Sequence, residues 1–243
     1  MDERALVIIP AYNEERNISS VVEAVRRAVR NADVCVVDDG STDGTARVAA
    51  ACGAVVLRSP MNLGIGGAVQ TGYLWARTHD YDVAIQIDGD GQHDPAFLAS
   101  VIAPIVRDRA DVVIGSRFIE RRGFQSTATR RIGIRYLSAL LKILCGARVT
   151  DPTSGFRATG RRAIDLFAQT YPSDYPEPGA IALAIRHGLR VEEVPVQMVE
   201  RRHGRSTIGI ARSLYYGLKV SLELLFQAIP GPRKQAPAGE ETS

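Results

Sequence analysis

Cysteine is scarce in this chain of 243 residues, and the three present, Cys35, Cys52 and Cys145, are scattered. An odd, dispersed set without paired spacing excludes a disulfide scaffold and a cysteine metal site, and assigns all three to structure in a reduced protein. Also missing is an uninterrupted apolar run of about 18 residues, which a membrane-spanning helix needs. The nearest candidate, a helix over 207–229, would extend roughly 33 Å at 1.5 Å per residue. Arg212, Lys219 and Glu223 interrupt it, so lying on a membrane, packing on a partner's helix or joining the core fits better than crossing. The apolar run after Met1–Arg4 is too short for a secretory signal, and no export is expected. Net charge is only +3, so no general basic field marks a nucleic-acid binder. Arginines gather instead in 117–135 and 201–205, a local cationic face that calls for an anionic partner.

What is present is enough for a full core: 45% of residues are hydrophobic, and the length suits one large domain with an appendage. The most informative stretch is Ile85 to Pro95. There an apolar run stops at a carboxylate and gives way to Asp88-Gly89-Asp90-Gly91-Gln92-His93-Asp94. This reads as a buried strand ending in a polar turn. Asp-x-Asp at a strand end suits Mg²⁺ or Mn²⁺, which takes one or two carboxylates and completes its octahedron with phosphates and water. An acidic surface turn is the alternative. A calcium loop is excluded, because the later glutamate is absent and Pro95 stands where that loop continues.

In chain order, Ala5 to Ile9 reads as a strand, Pro10–Glu14 as its exit, and Asn13 as a cap for an amphipathic helix over 15–30. A strand over 34–37 ends at Asp38–Thr45; a short alanine-rich helix stops at Gly53; a third strand covers 54–57, and a helix 68–78. Helix 96–106, strand 111–115 and a basic helix 129–145 follow, then an Asp151-led turn, a helix 161–167, a proline-rich loop 171–178, a helix 181–186 and an extended strand 189–199. The tail from Pro230 reads as disordered. Alternation of strands and helices predicts a Rossmann-like α/β fold, a mostly parallel sheet with helices on both faces. Ligands bind beyond the carboxyl ends of such strands, so Pro10–Glu14, Asp38–Asp43 and Asp88–Asp94 share one rim, suited to a nucleoside diphosphate. A dinucleotide fold fails in detail, since Val69 stands where the third glycine of Gly-x-Gly-x-x-Gly belongs. A nucleotidyltransferase would need a basic pocket near the first strand, and 7–14 has no Lys or Arg.

Several strings, in order, carry a resemblance: Val-Ile-Ile-Pro-Ala-Tyr-Asn-Glu (7–14), Val-Val-Asp-Asp-Gly-Ser-Thr-Asp (36–43), Asn-Leu-Gly (62–64), Asp-Gly-Asp-Gly-Gln (88–92), Gly-Ser-Arg (115–117), Asp-Pro-Thr-Ser-Gly-Phe (151–156) and Arg-Arg-His-Gly-Arg-Ser (201–206). With them the chain resembles glycosyltransferase family 2, and within it polyprenyl-phosphate glycosyltransferases similar to dolichyl-phosphate mannose synthase. The resemblance implies a GT-A fold over 1–206 and inverting, metal-dependent transfer from a UDP- or GDP-linked sugar. It implies that Pro10, Tyr12, Glu14 and Asp39, with Gly64, Asp88 and Gly89, hold the nucleotide, and that Asp88, Asp90 and Gln92 hold Mg²⁺ or Mn²⁺. An acceptor polyprenyl phosphate is expected on Arg117, Arg131 and Arg202, with Arg130, Arg135 and Arg205 assisting and Asp151 orienting it. Guanidinium forks suit phosphate, and a monoester that is largely dianionic at neutral pH attacks without a general base. A glycan hydroxyl acceptor and a non-catalytic nucleotide-sugar-binding subunit remain as alternatives. Relatives often carry an acid where this chain has Gly179, with Glu177 two residues earlier. The helix 207–229 is expected to hold the protein at the cytoplasmic face of a membrane or on a small membrane protein.

Overall fold

The computed structural model describes residues 3–123, 127–174, 176–199, 219–222 and 224–225. The first apolar run forms β1 (Ala5–Ala11), two residues longer than read, buried from Leu6 onward. Helix α1 (Ile18–Ala28) buries Ile18, Val21, Val22 and Val25, one stripe at three- and four-residue steps. Strand β2 (Ala32–Asp38), helix α2 (Thr45–Ala51), strand β3 (Val55–Arg58), helix α3 (Gly64–Thr78) and strand β4 (Val83–Gln86) follow. Then come a 3-10 turn (Pro95–Phe97), α4 (Leu98–Val106), β5 (Val112–Ser116), α5 (Ala128–Cys145), β6 (Arg157–Gly160), α6 (Arg161–Gln169), α7 (Pro176–Arg186) and β7 (Val191–Pro195).

These strands make one sheet in the order β3-β2-β1-β4-β6-β5-β7. Strands β2 and β4 flank β1 in parallel, and β3 lies parallel beyond β2. Strand order therefore reverses at β1, which opens the rim crevice where such sheets bind ligands. One apolar layer packs α1 and α4 on the sheet through Val7, Ile9, Ile85 and Leu98. The opposite layer packs α3, α6 and α7 through Ile8, Val69, Tyr73 and Phe167. A third cluster joins Leu137 and Leu141 of α5 to Ile181 of α7, and takes in Val220 and Leu224.

The sheet is mostly parallel, as expected, and several local readings are corrected. Strand β6 runs antiparallel to both β4 and β5; its sequence, Arg-Ala-Thr-Gly, has no apolar β-branched residue to announce it. Helix α7 starts inside the proline-rich stretch read as a loop, because Pro176 and Pro178 sit in its first turn, where the missing N–H groups have no helical partner anyway. Asn13 does not cap α1. With φ of 55°, it turns the chain so that its Oδ1 accepts from the Thr42 backbone N–H at 2.9 Å. Helix α3 also begins earlier than read, at Gly64, next to the carboxylate of Asp39. Most of 207–229 lies outside the described residues; within 219–225, the described positions are helical. No helix among the described residues is long and apolar enough to cross a membrane.

Candidate active site

Three strand exits meet on the rim. At the end of β1, the Asn13 amide donates to Ser41 Oγ and the Glu14 amide to Thr45 Oγ1, both at 2.9 Å. These bonds lace the β1 exit to the β2 exit. Glu14 accepts from Asn17 Nδ2 at 2.6 Å, while Tyr12 projects from the rim, 48% exposed. Asp39 is buried, and its two oxygens accept from the Leu63 and Gly64 amides at 2.8 and 2.9 Å. It thus holds the N-terminus of α3, where peptide dipoles favour an anion. Asp38 is turned away, accepting from the Ser41 amide and pairing with Arg58 at 3.3 Å.

The Asp88 loop follows β4. A Cβ at Gly89 would lie 3.1 Å from the Pro10 carbonyl, so the absent side chain lets the Asp88 loop and the β1 exit abut. Asp90 Oδ1 accepts from the Gln92 amide at 3.0 Å, which closes the turn. Asp88 and Asp90 are each part-buried. Among the described residues, no three His, Cys, Asp or Glu side chains converge as a closed metal cage. Two carboxylates and an amide on one turn nevertheless fit Mg²⁺ or Mn²⁺, which keeps positions for phosphate and water.

Behind the loop lie two groups to which the sequence assigned no role, His93 and Arg157, and Glu177, which it named two residues from the expected acid. His93 is buried and stacked on Phe156. Burial lowers its pKa to about 4, against the opposing pull of Asp90 and Asp151. Arg157, 1% exposed, donates to the Ser154 and Pro152 carbonyls at 2.8 and 3.2 Å and so shapes the turn after Asp151. Glu177, in the first turn of α7, has its carboxyl pushed up by burial, opposed by Arg157 and raised further by Asp88. It therefore belongs to the same electrostatic neighbourhood as Asp88. The acid two residues from its expected place was the signal for Glu177; Arg157, the first residue of a strand with no apolar run, had none.

The turn before β6 also reaches Asp88. A Cβ on Gly155 would sit 2.8 Å from Asp88 Oδ1. Gly155→Ala is therefore expected to displace that carboxylate and lower kcat/KM by about 10²-fold, with a thermal midpoint close to wild type. Steady-state assays paired with a melting curve check this.

Arg117 and Asp151 are brought together more tightly than their separate roles implied. Arg117 Nε and Nη2 donate to the two Asp151 oxygens at 2.6 and 2.7 Å, and Nη2 also donates to Thr153. Asp151 is fully buried and Arg117 nearly so. Glu193 of β7 accepts from the Thr150 and Asp151 amides at 2.7 and 2.8 Å. A cavity of about 430 Å³, reached by the neighbours of this pair, is lined by Phe118, Arg121, Arg131, Ile134, Arg135, Ser138, Val149 and Thr150. It unites Arg131 with Arg135, and adds Arg121, which the sequence reading left out. Arg130 sits instead within electrostatic reach of Glu177. Arg202 and Arg205 lie outside the described residues.

Comparison with known proteins gives this site its context. The profile described as glycosyl transferase family 2 matches residues 6–167. An undecaprenyl-phosphate mannosyltransferase from Micrococcus luteus is 36% identical over 212 residues, 84% of this chain and 86% of that protein. A polyprenol monophosphomannose synthase from Mycolicibacterium smegmatis is 32% identical, covering 84% and 80%. A UDP-N-acetylglucosamine–dolichyl-phosphate N-acetylglucosaminyltransferase from Methanococcus voltae is 30% identical, covering 92% and 96%. Among solved structures, glucosyl-3-phosphoglycerate synthase from Mycobacterium tuberculosis superposes with a TM-score of 0.74 at 24% identity, over 94% of this chain and 81% of that one. Its fold is shared. With strand exits, Asp-x-Asp loop and relatives in agreement, the chain belongs to glycosyl transferase family 2 and is a glycosyltransferase of GT-A fold.

Proposed function

We propose that this glycosyltransferase moves a sugar, with inversion, from a nucleoside-diphosphate sugar to a polyprenyl phosphate at a membrane surface. The observation that carries this reading is the cavity with Arg121, Arg131 and Arg135 around an apolar floor of Phe118, Ile134 and Val149. Guanidinium forks match a phosphate monoester, and the apolar wall matches the first units of a lipid chain. Of the three relatives named above, two are by name undecaprenyl- and dolichyl-phosphate transferases and the third is a polyprenol monophosphomannose synthase.

Pro10, Tyr12, Glu14, Asp39 and Gly64 surround the nucleoside and diphosphate, with Asp39 fixing the α3 N-terminus against the phosphates. Asp88, Asp90 and Gln92 would hold Mg²⁺ or Mn²⁺; a solved relative of the same fold was determined with Mn²⁺ and UDP. That ion supplies Lewis-acid neutralisation of the leaving diphosphate. The acceptor phosphate, held by Arg131, Arg135 and Arg121, brings its own nucleophilic oxygen to the anomeric carbon, so no side chain has to take a proton. Arg117, which packs over the Phe118 ring, and Asp151, next to Thr150, brace the cavity lining.

The outer face of α5 suits the membrane setting. Ile132, Tyr136 and Ile143 are 67%, 51% and 79% exposed and recur on one side of the helix, with Arg135 and Lys142 beside them. The Tyr136 hydroxyl meets Ser221 Oγ at 2.9 Å, where exposed Leu222 and Leu225 extend the apolar surface. Val220 and Leu224 face inward. The described C-terminal positions thus pack on the core by one side and leave the other for lipid.

Offering the protein polyprenyl phosphate and soluble glycan acceptors, each with labelled UDP- and GDP-sugars, tests the reading. Product on the lipid is expected, and product only on the glycan refutes it. Arg131→Ala should raise KM for polyprenyl phosphate about tenfold or more, as loss of a charge-assisted phosphate contact does. Nucleoside diphosphate affinity, measured by calorimetry, should stay unchanged.

A further inference from the structure

His93 follows the Asp-x-Asp motif yet points back under it. Its ring is 3% exposed and lies against Phe156, with centroids 5.2 Å apart and planes at 26°. The Asp88 backbone N–H donates to Nδ1 at 3.0 Å. A backbone amide can only donate, so Nδ1 carries no proton; the imidazole is neutral and its one N–H is on Nε2. That nitrogen stands 3.6 Å from Oδ2 of the same aspartate, an electrostatic contact rather than a hydrogen bond. One ring therefore meets Asp88 at both its amide and its carboxylate.

The placement follows from where the sheet ends. The Ile87 amide still donates to Ile8 of β1 at 3.0 Å, and the next amide, that of Asp88, leaves the sheet and goes to His93. Gly155 also closes on the Asp88 carboxylate. The loop is also held from outside, where His93 bridges Met198 and the Val199 amide donates to the Gln92 carbonyl at 2.9 Å.

We propose that His93 is a positioning residue, a neutral imidazole that fixes the main chain and carboxylate of Asp88 toward the divalent ion of the nucleotide sugar. The inference rests on the reading of Asp88 as part of the metal and nucleotide site. A ring that only filled space beside Phe156 would be replaced equally well by phenylalanine, and the test turns on this difference.

Mn²⁺ binding in the presence of UDP or GDP, followed by the electron paramagnetic resonance of the free ion, is compared for wild type, His93→Phe and His93→Asn. Asn keeps an acceptor near the Nδ1 position. The Phe variant is expected to bind Mn²⁺ about tenfold or more weakly, the usual size of a lost supporting contact, and the Asn variant within about threefold of wild type. Equal affinity of the Phe variant and wild type overturns the proposal, as does an Asn variant as weak as the Phe variant. Should the Phe variant fail to fold, His93→Gln replaces it: its carbonyl lies beyond the Nδ1 position, so Gln weaker than Asn supports the role and equal affinities overturn it. A wild-type protein that binds no Mn²⁺ with either nucleotide overturns the site reading itself, and this inference with it.

Discussion

Asp90→Asn is expected to lower kcat/KM about a thousandfold while moving the thermal midpoint by no more than about 2 °C. The substitution removes one charge from the Asp-x-Asp turn and preserves its shape, since an amide Oδ1 can still accept from the Gln92 backbone N–H that Asp90 holds at 3.0 Å. Metal-assisted charge stabilisation supplies several kcal/mol, and each ~1.4 kcal/mol is a factor of ten in rate. A part-buried strand-exit residue contributes little packing. Rates of labelled sugar transfer, measured across a Mn²⁺ and Mg²⁺ titration and after chelation, decide the matter. Wild-type turnover in the variant, persisting with chelator, would remove the metal role from this loop.

The second large effect is on stability. Asp151→Ala leaves the Arg117 guanidinium, whose side chain is 7% exposed, buried without its bidentate partner. Breaking a buried pair from one side costs about 3–5 kcal/mol, which for a domain of this size lowers the midpoint by about 10 °C. Replacing both members, Arg117→Met with Asp151→Leu, should recover most of that loss, because two apolar groups of similar volume pack where two charges were desolvated. Denaturant titration of the single and double variants checks the sign. A single variant as stable as wild type would mean that the pair is held open for a ligand and does not brace the floor.

The parts legible in the sequence were those in which one local signal coincided with one local structure. Strands β1, β2 and β4 are apolar runs that end in acids, so their exits and the shared rim could be placed without tertiary information. Strand β6 could not, because Arg157 and Thr159 are polar and their burial depends on α3 and α7 packing over that face of the sheet. Arg117 and Asp151 were each marked as functional, yet nothing in their spacing says that they pair with each other. His93 stood in plain view in the motif, but its task depends on a stack with Phe156 that only the fold creates. The helix over 207–229 had two apolar sides in sequence, and the described residues divide them, Val220 and Leu224 inward, Leu222 and Leu225 outward.

The antiparallel course of β6 has a consequence for how such a protein can change. Strand β5 leaves the sheet at the rim and β6 re-enters beside it, with the Gly115 amide bonded to the Phe156 carbonyl at 2.8 Å. Residues 117–156 therefore form one excursion whose two ends are stapled together, like a cassette clipped into a fixed frame. The cassette holds α5, the arginine-lined cavity and the Asp151 turn, while the exits of β1, β2 and β4 belong to the frame. Loop closure costs little more as such an excursion lengthens. Exchange of this segment between relatives would thus alter the arginine-lined cavity without redesign of the sheet.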